Sequence, residues 1–394
     1  MSDFRPTTTR ELEAVVAEAV AREEPMELVA GGSKRGLGRP LQLPHRLDLS
    51  AFAGIGLYEP EELVLTAGAA TPLADIEAAL GERRQMLAFE PADWRALLGS
   101  ERAAPTLGGA IACNLAGPRR VRQGAARDHF LGFSAVSGRG EAFKAGGRVV
   151  KNVTGYDLPK LMAGSYGTLA ALTEVTVKVL PRSEAMRTLV LRSLDDEAAR
   201  RAMSAALASP HEVSGAAHLP EAVSPSGART LLRLEGHGPS VEARVRALAE
   251  ELRAYGTIDV LGDADSESAW RAVRDAEPFA PFADRTIWRV SVAPTDAPAV
   301  AARIAKTLDT RHFYDWGGGL LWLAVKGAQD GGASVIRAAF ASGHATLIHG
   351  PQALRLQVAV FQPQPPALAT LAARVRDGFD PRRILNRGRM VPEA

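Results

Sequence analysis

The chain has 394 residues, of which 46% are hydrophobic and 23% are charged, and its formal net charge is +2. This composition is typical of a globular protein with a full apolar core, and the length allows two or three domains. Because the charge is nearly balanced and no signal peptide or membrane-length apolar run is present, we expect a cytoplasmic protein with no nucleic-acid partner.

The first predicted element is an amphipathic helix over Thr8–Arg22. Thr8 and Glu11 have the spacing of a capping box, and apolar residues recur on one face of this helix. Pro25 interrupts the chain after it, and Glu27–Ala30 has the composition of a short strand.

A glycine-rich loop follows this strand, with the sequence VAGGSKRGLG. Such loops often wrap phosphate, because backbone N–H groups can approach an anion where no side chain intervenes. A P-loop would need Lys and Ser or Thr where Leu37 and Gly38 stand, and a Rossmann turn would need a helix where Pro40 and Pro44 stand. A free-standing nest of backbone donors and a plain surface turn remain as alternatives.

Two more glycine-rich segments follow a helix that we predict from Thr71, as N-cap, to Gly81. They are PTLGGAIACNLAGPRRVRQGAARD and GGRVVKNVTGYDLPKLMAGSYGTLAALTEV, and the second runs into a strand that ends at Pro181. The single cysteine of the chain, Cys113, lies in the first segment, where we expect it to be buried rather than reactive. One cysteine excludes an internal disulfide and a thiolate-held iron–sulfur cluster, which needs about four such ligands.

Beyond Pro181 the glycine clusters thin out and amphipathic helices alternate with short strands. The predicted order is β-α-β-β-α-β twice, which would make one α+β domain from tandem ferredoxin-like units. The first copy is predicted at Arg187–Ser193, Asp195–Ala208, Glu212–Leu219, Arg229–Glu235, Val241–Tyr255 and Thr257–Leu261. The second is predicted at Thr286–Val292, Ala297–Leu308, near Phe313, Leu320–Val325, Ala333–Ala341 and Ala345–Ile348. A last helix, Pro366–Phe379, leads into the tail FDPRRILNRGRM.

The three glycine segments and this tail, in this order, resemble the flavin-binding domain of the vanillyl-alcohol oxidase family, also called the p-cresol methylhydroxylase (PCMH) type. The resemblance covers about the first 180 residues and the last 20. It implies an α+β protein with a PCMH-type FAD-binding domain of two α+β subdomains at residues 1–183. An α+β cap domain, the tandem ferredoxin-like units, would occupy residues 184–375, and the tail at 376–394 would return to the FAD domain.

By this resemblance the cofactor is FAD, which we expect to be noncovalent because the first loop has no histidine. The first loop would wrap the pyrophosphate, with Lys34 or Arg35 as a cationic partner, the second segment would line the flavin, and the third would close over it. Arg127 and Asp128 could equally form a structural ion pair. The implied cofactor-binding residues are Gly31, Gly32, Ser33, Lys34, Arg35, Gly36, Pro105, Thr106, Gly108, Gly109, Asn114, Gly117, Gly124, Arg127, Asp128, Gly155, Tyr156, Asp157, Gly164, Gly167, Thr168, Leu169 and Asn386.

Within the family, the segments VKNVTGYDLPKLMAGSYGTLAALTEVTVKVLP, FYDWGGGLLWL and GHATLIHG are most similar to the E-subunit branch of bacterial glycolate oxidase. This implies a small 2-hydroxy-acid substrate, a larger flavin subunit and an iron–sulfur subunit as partners, and membrane contact only through partners. Three hypotheses remain: a flavin subunit that relays electrons or shares catalysis in a glycolate oxidase complex, a self-sufficient 2-hydroxy-acid dehydrogenase, and a flavin-fold scaffold.

The catalytic residues are not identified by the sequence. The H-x-G-D-G-N-x-H metal motif of related dehydrogenases is missing, so we expect no metal. The weak candidates are His344 and His349, which are five residues apart in a predicted strand and therefore on opposite faces. We expect His312 to be a packed or surface residue. Trp316 and Trp322 are expected in the cap core, although either could flank the flavin.

Overall fold

Four β-sheets organise the part of the chain that the structure, a computed structural model, describes: residues 2–148, 155–282 and 284–392. Their sizes are 3, 2, 8 and 5 strands. None of the helices within these ranges is long and apolar enough to cross a membrane.

The first part of the chain contains three of the sheets. A parallel sheet has the order β1-β3-β2, a five-stranded antiparallel sheet has the order β4-β5-β9-β7-β8, and β6 pairs with β10. The strands are β1 (Ser2–Phe4), β2 (Met26–Val29), β3 (His45–Asp48), β4 (Ile55–Glu59), β5 (Val64–Gly68), β6 (Gln85–Met86), β7 (Phe130–Ser137), β8 (Ala142–Gly146), β9 (Ala170–Lys178) and β10 (Leu180–Pro181).

Seven helices accompany these strands. They are α1 (Thr9–Arg22), α2 (Leu73–Glu82), α3 (Arg95–Leu98), α4 (Leu107–Ala112), α5 (Arg120–Gln123), α6 (Ala126–His129) and α7 (Leu158–Met162). As predicted, the Thr8 hydroxyl caps α1 by accepting a hydrogen bond of 3.2 Å from the backbone N–H of Glu11. The prediction that Thr71 caps α2 is wrong, because its hydroxyl donates instead to the backbone oxygens of Gly54 and Gly68 and the helix begins two residues later.

The second part of the chain forms one eight-stranded sheet with the order β14-β11-β13-β12-β16-β17-β15-β18. Its strands are β11 (Ala185–Arg192), β12 (Gly215–Leu219), β13 (Arg229–Gly236), β14 (Ile258–Leu261), β15 (Thr286–Ser291), β16 (Asp309–Asp315), β17 (Leu320–Lys326) and β18 (His344–His349). The helices are α8 (Asp196–Ala208), α9 (Gly238–Glu251), α10 (Asp263–Arg274), α11 (Ala297–Ala305), α12 (Ala333–Ala338) and α13 (Gln352–Gln357). The element order is the predicted β-α-β-β-α-β, twice, and β12 and β16 join the halves through the pair His218 and Tyr314. The helix α10 was not predicted.

The last helix, α14 (Pro366–Phe379), has the predicted bounds, and the tail after it returns to the first part of the chain. The backbone N–H of Met26 donates to Ile384, at 2.8 Å, and the N–H of Asn386 donates back to Met26, at 3.0 Å. The tail therefore lies alongside β2, the strand that leads into the first glycine loop.

Hydrophobic packing also joins the two parts of the chain. One of the apolar clusters contains Leu37, Trp94 and Leu115 from the first part, and Phe313 and Trp322 from the eight-stranded sheet. Phe313 and Trp322 stack with ring centroids 5.8 Å apart, and Trp94 meets Trp322 edge-on at 5.3 Å. One face of the large sheet therefore packs directly against the region of the glycine segments.

Candidate flavin site

A cavity of about 920 Å³ lies where the glycine segments and the tail meet; we call it the flavin cavity. Ten of the predicted cofactor-binding residues line it: Gly31, Gly32, Ser33, Lys34, Arg35, Thr106, Gly108, Gly109, Gly167 and Asn386. Other walls come from Leu28, Cys113, Tyr166 and Arg389. Residues that are far apart in the sequence are thus brought together around one cavity.

The first glycine loop reaches this cavity by packing its backbone on the second segment. The N–H of Ala104 donates to the carbonyl oxygen of Gly31 at 3.1 Å. A Cβ atom at Gly31 would lie 1.8 Å from the carbonyl oxygen of Ala104, which is far inside a contact distance. Glycine is required here because the two backbones approach too closely for any side chain.

The two cations of the first loop have different surroundings. The Arg35 guanidinium makes a bidentate ion pair with Glu27, with hydrogen bonds of 3.0 and 2.6 Å. The Lys34 ammonium makes one hydrogen bond, of 3.2 Å, to Ser33 and has no carboxylate partner within the described ranges. Burial lowers the pKa of Lys34, so an anion in the cavity would stabilise its charge. Lys34 is the better placed of the two for a phosphate.

The second segment contributes a short helix, α4, whose start faces the cavity. The Thr106 hydroxyl caps it by accepting a hydrogen bond of 3.2 Å from the N–H of Gly109. Gly108 is packed against Ala69, to whose carbonyl oxygen it donates at 2.8 Å. A Cβ atom at Gly109 would lie 3.1 Å from the Thr106 hydroxyl oxygen and 3.6 Å from the Lys34 side chain, so the glycine lets Lys34 pack close to the start of α4.

The tail holds the loops of the cavity through its side chains. The Asn386 amide accepts from the N–H of Leu28 and donates to the carbonyl oxygen of Tyr166, both at 2.8 Å. The Arg389 guanidinium donates to carbonyl oxygens of the first loop and to Glu27, at 2.9 Å. Asn386 was predicted to contact the cofactor, and the structure adds that it ties two segments together. Arg389 was not predicted to lie at the cavity, because a single arginine in the tail belongs to no recognisable sequence motif.

The remaining predicted cofactor-binding residues lie outside the lining of the flavin cavity. They are Gly36, Pro105, Asn114, Gly117, Gly124, Arg127, Asp128, Gly155, Tyr156, Asp157, Gly164, Thr168 and Leu169. Asn114 accepts a hydrogen bond from the N–H of Arg127 at 3.0 Å, and Asp157 caps α7. Arg127 and Asp128 lie 3.9 Å apart, which fits the alternative of a structural ion pair. The Val149–Thr154 part of the third segment lies outside the described residues.

Four charged side chains, with little exposure to solvent, join the first part of the chain to the eight-stranded sheet. We call Glu90, Arg119, Arg233 and Glu235 the charged junction. Arg233 makes parallel hydrogen bonds of 2.9 and 3.1 Å to Glu90, while Arg119 bonds to Glu90 at 2.8 Å and to Glu235 at 2.6 Å. Burial alone would raise the pKa of Glu235, but the charges of Arg233 and Arg119 outweigh it and lower this pKa to about 2.

A further cation, Arg289 of β15, lies among three aromatic rings. Its guanidinium carbon is 5.2 Å from the ring of Trp94, 5.2 Å from that of Trp316 and 5.3 Å from that of Trp322. We call these rings the tryptophan cage. The indole N–H groups of Trp94 and Trp316 donate to backbone oxygens of Arg274 and Gly117, both at 3.1 Å, which fixes the two rings. Sequence reasoning did not single out Arg289 or Trp94.

The two candidate histidines, His344 and His349, lie in one strand, as predicted. His344 and His349 are at the two ends of β18, five residues apart. His344 pairs with Ser291, two residues from Arg289, and so shares a face of the sheet with Arg289. Burial lowers the pKa of His344, and the charges of Arg289 and Arg120 lower it further. His312 contacts Asp196 at 2.8 Å instead. Within the described ranges no group of three or more His, Cys, Asp or Glu side chains could hold a metal ion.

These features define a class of protein, the FAD-binding proteins of the PCMH type. The family described as "FAD binding domain" matches residues 3–146. The fold is similar to that of 4-ethylphenol oxidase from Gulosibacter chungangensis, with a TM-score of 0.73 at 13% identity, over 99% of this chain and 89% of that one. Lys34, a cation in the cavity wall without a carboxylate partner in the described ranges, suits a cofactor that carries phosphates.

The chain belongs to the family of the glycolate oxidase subunit GlcE. It is 36% identical to GlcE of Escherichia coli (strain K12), over 96% of each chain. It is also 31% identical to D-lactate dehydrogenase of Archaeoglobus fulgidus, over 48% of this chain and 40% of that protein. The predicted family, fold class and cofactor, FAD, are thereby confirmed. The description of the cap domain as tandem ferredoxin-like units, the residue-level contacts, the domain boundaries and the noncovalent attachment stay predictions.

Proposed function

We propose that this protein is the FAD-holding subunit of a complex that oxidises glycolate to glyoxylate. A larger flavin subunit of the GlcD type and an iron–sulfur subunit would complete the complex, and electrons would leave through the latter. The observation that carries the proposal is the similarity to GlcE over 96% of both chains, together with a cavity lined by the glycine segments. The only cysteine, Cys113, cannot hold a cluster by itself, so the iron–sulfur centre must lie in a partner.

Bound FAD would supply the acceptor for a hydride or an electron pair from the α-carbon of the acid. The residues of this chain hold and orient the cofactor. Lys34 and backbone N–H groups of the first glycine loop would hold the pyrophosphate, and Gly109 would be part of the wall beside it. Asn386 and Arg389 hold the loops in place from behind.

A second candidate is a self-sufficient 2-hydroxy-acid dehydrogenase, which the similarity to D-lactate dehydrogenase favours. A third, a scaffold without flavin, is disfavoured by the cavity itself. Gly31 is enforced by a clash with Ala104 and serves to bring the first loop to the cavity, a constraint that a scaffold does not need.

The visible absorption spectrum of the purified chain tests these candidates. It is recorded before and after glycolate is added without oxygen, and then after the GlcD-type partner is added. We expect flavin bands that glycolate does not bleach until the partner is present. Bleaching of the chain alone would favour the self-sufficient dehydrogenase. A chain that carries no flavin, alone or with the partner, would contradict the proposal.

A further inference from the structure

Arg289 is a half-buried cation without an ion-pair partner in the described part of the chain. Within the described ranges its guanidinium makes no hydrogen bond and no ion pair, and its Nε atom is buried without a partner. Burial lowers its pKa to about 10, so it stays charged at neutral pH. The tryptophan cage provides cation–π contacts of about 0.5–2 kcal/mol each, but aromatic faces do not satisfy the five N–H donors of an arginine. Such donors point to an anion that binds here.

A second guanidinium shares the same cage. The Arg120 guanidinium carbon lies 4.5 Å from the ring of Trp316, the ring that Arg289 also contacts. Within the described part of the chain, the Arg120 side chain makes no hydrogen bond or ion pair either. Arg120 is exposed, whereas Arg289 is half-buried. Two like charges on one ring repel each other unless an anion lies between or beside them.

Two carboxyl groups influence this pair, Asp315 on Arg289 and Asp128 on Arg120, but neither forms an ion pair with it within the described ranges. Asp315 is buried, and its carboxylate accepts a hydrogen bond of 2.7 Å from the N–H of Trp316. Burial raises its pKa to about 7, so at neutral pH it carries only part of a charge. Its charge influences Arg289, but the two side chains do not form an ion pair. The unused donors therefore remain available to a ligand.

The position of these cations connects them to the flavin cavity. Tyr166 lines the cavity and packs in the same apolar cluster as Trp94, Trp316 and Trp322. Arg289 and Tyr166 are close enough for the charge of one to influence the other. On the outer side, His344 is exposed and lies on the same face of the sheet as Arg289. Arg289 is therefore near a residue of the cavity wall, Tyr166, and shares its face of the sheet with an exposed residue, His344.

From this geometry we infer that Arg289 and Arg120 form a binding site for one small carboxylate, a 2-hydroxy acid, beside the flavin cavity. Arg289 takes the carboxylate in two parallel hydrogen bonds, because its planar fork matches that group. Arg120 adds a second positive charge at the entrance, and the neutral imidazole of His344 accepts a hydrogen bond from the 2-hydroxyl group. The inference rests on the proposed function and deepens it, since it makes this subunit bind the acid itself.

Glycolate binding to the FAD-loaded full chain tests the inference. Tryptophan fluorescence and flavin absorbance are followed without oxygen, at constant ionic strength, with acetate and chloride as probes that lack the hydroxyl or the carboxylate. Three of the five tryptophans of the chain form the cage, so binding should change the fluorescence. We expect Arg289→Gln to weaken glycolate at least about tenfold, Arg289→Lys to have an intermediate effect, and Arg120→Gln to cost about threefold.

The matched control is Arg337→Gln. Arg337 also lies over a tryptophan, 5.3 Å from the ring of Trp288, but its guanidinium donates to backbone oxygens of Ala359 and Phe361. Its loss should change stability and leave glycolate affinity as it was. The FAD content and circular dichroism of each variant show whether it is folded, and Arg120→Gln, at an exposed side chain, keeps the test open if the Arg289 variants unfold.

The outcomes separate this inference from the proposed function. If FAD is bound and Arg289→Gln binds glycolate as the unsubstituted chain does, the inference fails and the proposed function stands. If Arg289→Gln loses FAD rather than glycolate, the guanidinium serves the cofactor, and if it loses only the GlcD-type partner, it serves an acidic side chain of that partner; both overturn the inference. A chain without any flavin bands overturns the proposed function instead, and glycolate binding is still measurable by tryptophan fluorescence.

Discussion

The flavin cavity is built from backbone and small side chains, whereas the charged junction is built from four long ionised ones. In the cavity, Gly31 and Gly108 let backbones meet at distances that exclude a Cβ atom. In the junction, Glu90 accepts hydrogen bonds from Arg119 and Arg233 with hardly any contact to solvent. The first region surrounds a cavity, and the second is a closed cluster in which the charges are paired.

This difference decides how each region responds to change. Removing one member of the junction leaves its partners buried and charged without compensation, which is costly in stability. Adding a side-chain atom to the wall of the flavin cavity displaces a loop that borders the cavity. We therefore expect it to weaken FAD binding more than it lowers the stability of the fold. Stability should therefore report on the junction, and FAD affinity should report on the cavity.

The largest effect is expected for Glu90→Ala. It leaves the Arg233 guanidinium, which is fully buried, without its bidentate partner, and should lower the free energy of unfolding by about 3–5 kcal/mol. Urea unfolding followed by circular dichroism measures it. The matched control is Glu212→Ala, in the exposed ion pair with Arg122, which should cost less than about 1 kcal/mol. Equal effects of the two substitutions would show that the junction does not stabilise the fold.

The second prediction concerns the loss of stability at acid pH. Burial would raise the pKa of Glu235, but Arg233 and Arg119 outweigh it and hold it at about 2, below the ordinary value near 4.5. A carboxyl group whose pKa is lowered by folding stabilises the protein fully above its unfolded pKa. That contribution, about 3 kcal/mol, should be lost as the pH falls from about 4.5 to about 2. Unfolding free energies between pH 6 and pH 3 measure the loss.

A variant shows whether this acid sensitivity belongs to the junction. Glu235→Gln cannot titrate, so its stability should be lower at pH 6 and should fall less steeply in acid than that of the unsubstituted chain. If both chains lose stability in parallel, other carboxyl groups cause the acid response.

The third prediction concerns the wall of the flavin cavity. Gly31→Ala places a methyl group against the carbonyl oxygen of Ala104, which must push the first loop away from the second segment. We expect FAD binding to weaken at least about tenfold, with about 1–3 kcal/mol lost in stability. The control is Gly81→Ala, in α2, where a Cβ atom meets nothing within 4 Å and should be neutral or stabilising. Isothermal titration of FAD into both apoproteins decides between them.

The flavin cavity could be predicted from the sequence because its close backbone contacts require glycine, and these glycines form a recognisable sequence pattern. The double β-α-β-β-α-β order could be predicted because apolar residues recur with the periods of strands and helices. The helix α10 was not predicted because it buries only three residues, Ser266, Trp270 and Val273, and its sequence therefore shows little apolar periodicity. Its N-cap is Gly262, which gives no side-chain signal.

The charged junction and the tryptophan cage could not be predicted for a different reason. Glu90 and Arg233 are 143 positions apart, and no local spacing links them. Arg289 alternates with Trp288 and Val290 along a strand, which in the sequence is simply the pattern of a half-buried strand. Only the packing of one face of the sheet on the glycine segments reveals that Arg289 lies among three tryptophan rings, with a buried Nε atom that has no partner in the described residues.

The smallest effect is expected at the tail, where a polar side chain forms hydrogen bonds with backbone segments that line the flavin cavity. Asn386 is a polar side chain that serves the cavity by accepting from Leu28 and donating to Tyr166. Asn386→Ala removes both hydrogen bonds and leaves buried backbone groups unpaired, so we expect FAD to bind about tenfold more weakly, with about 1–2 kcal/mol lost in stability. Asn386→Asp keeps the acceptor for Leu28 but loses the donor to Tyr166, and should lie between. Thr370→Ala on the exposed α14 is the control. If FAD affinity is the same in all four proteins, the tail stabilises the fold without positioning the loops, and the flavin cavity is organised by its glycines alone.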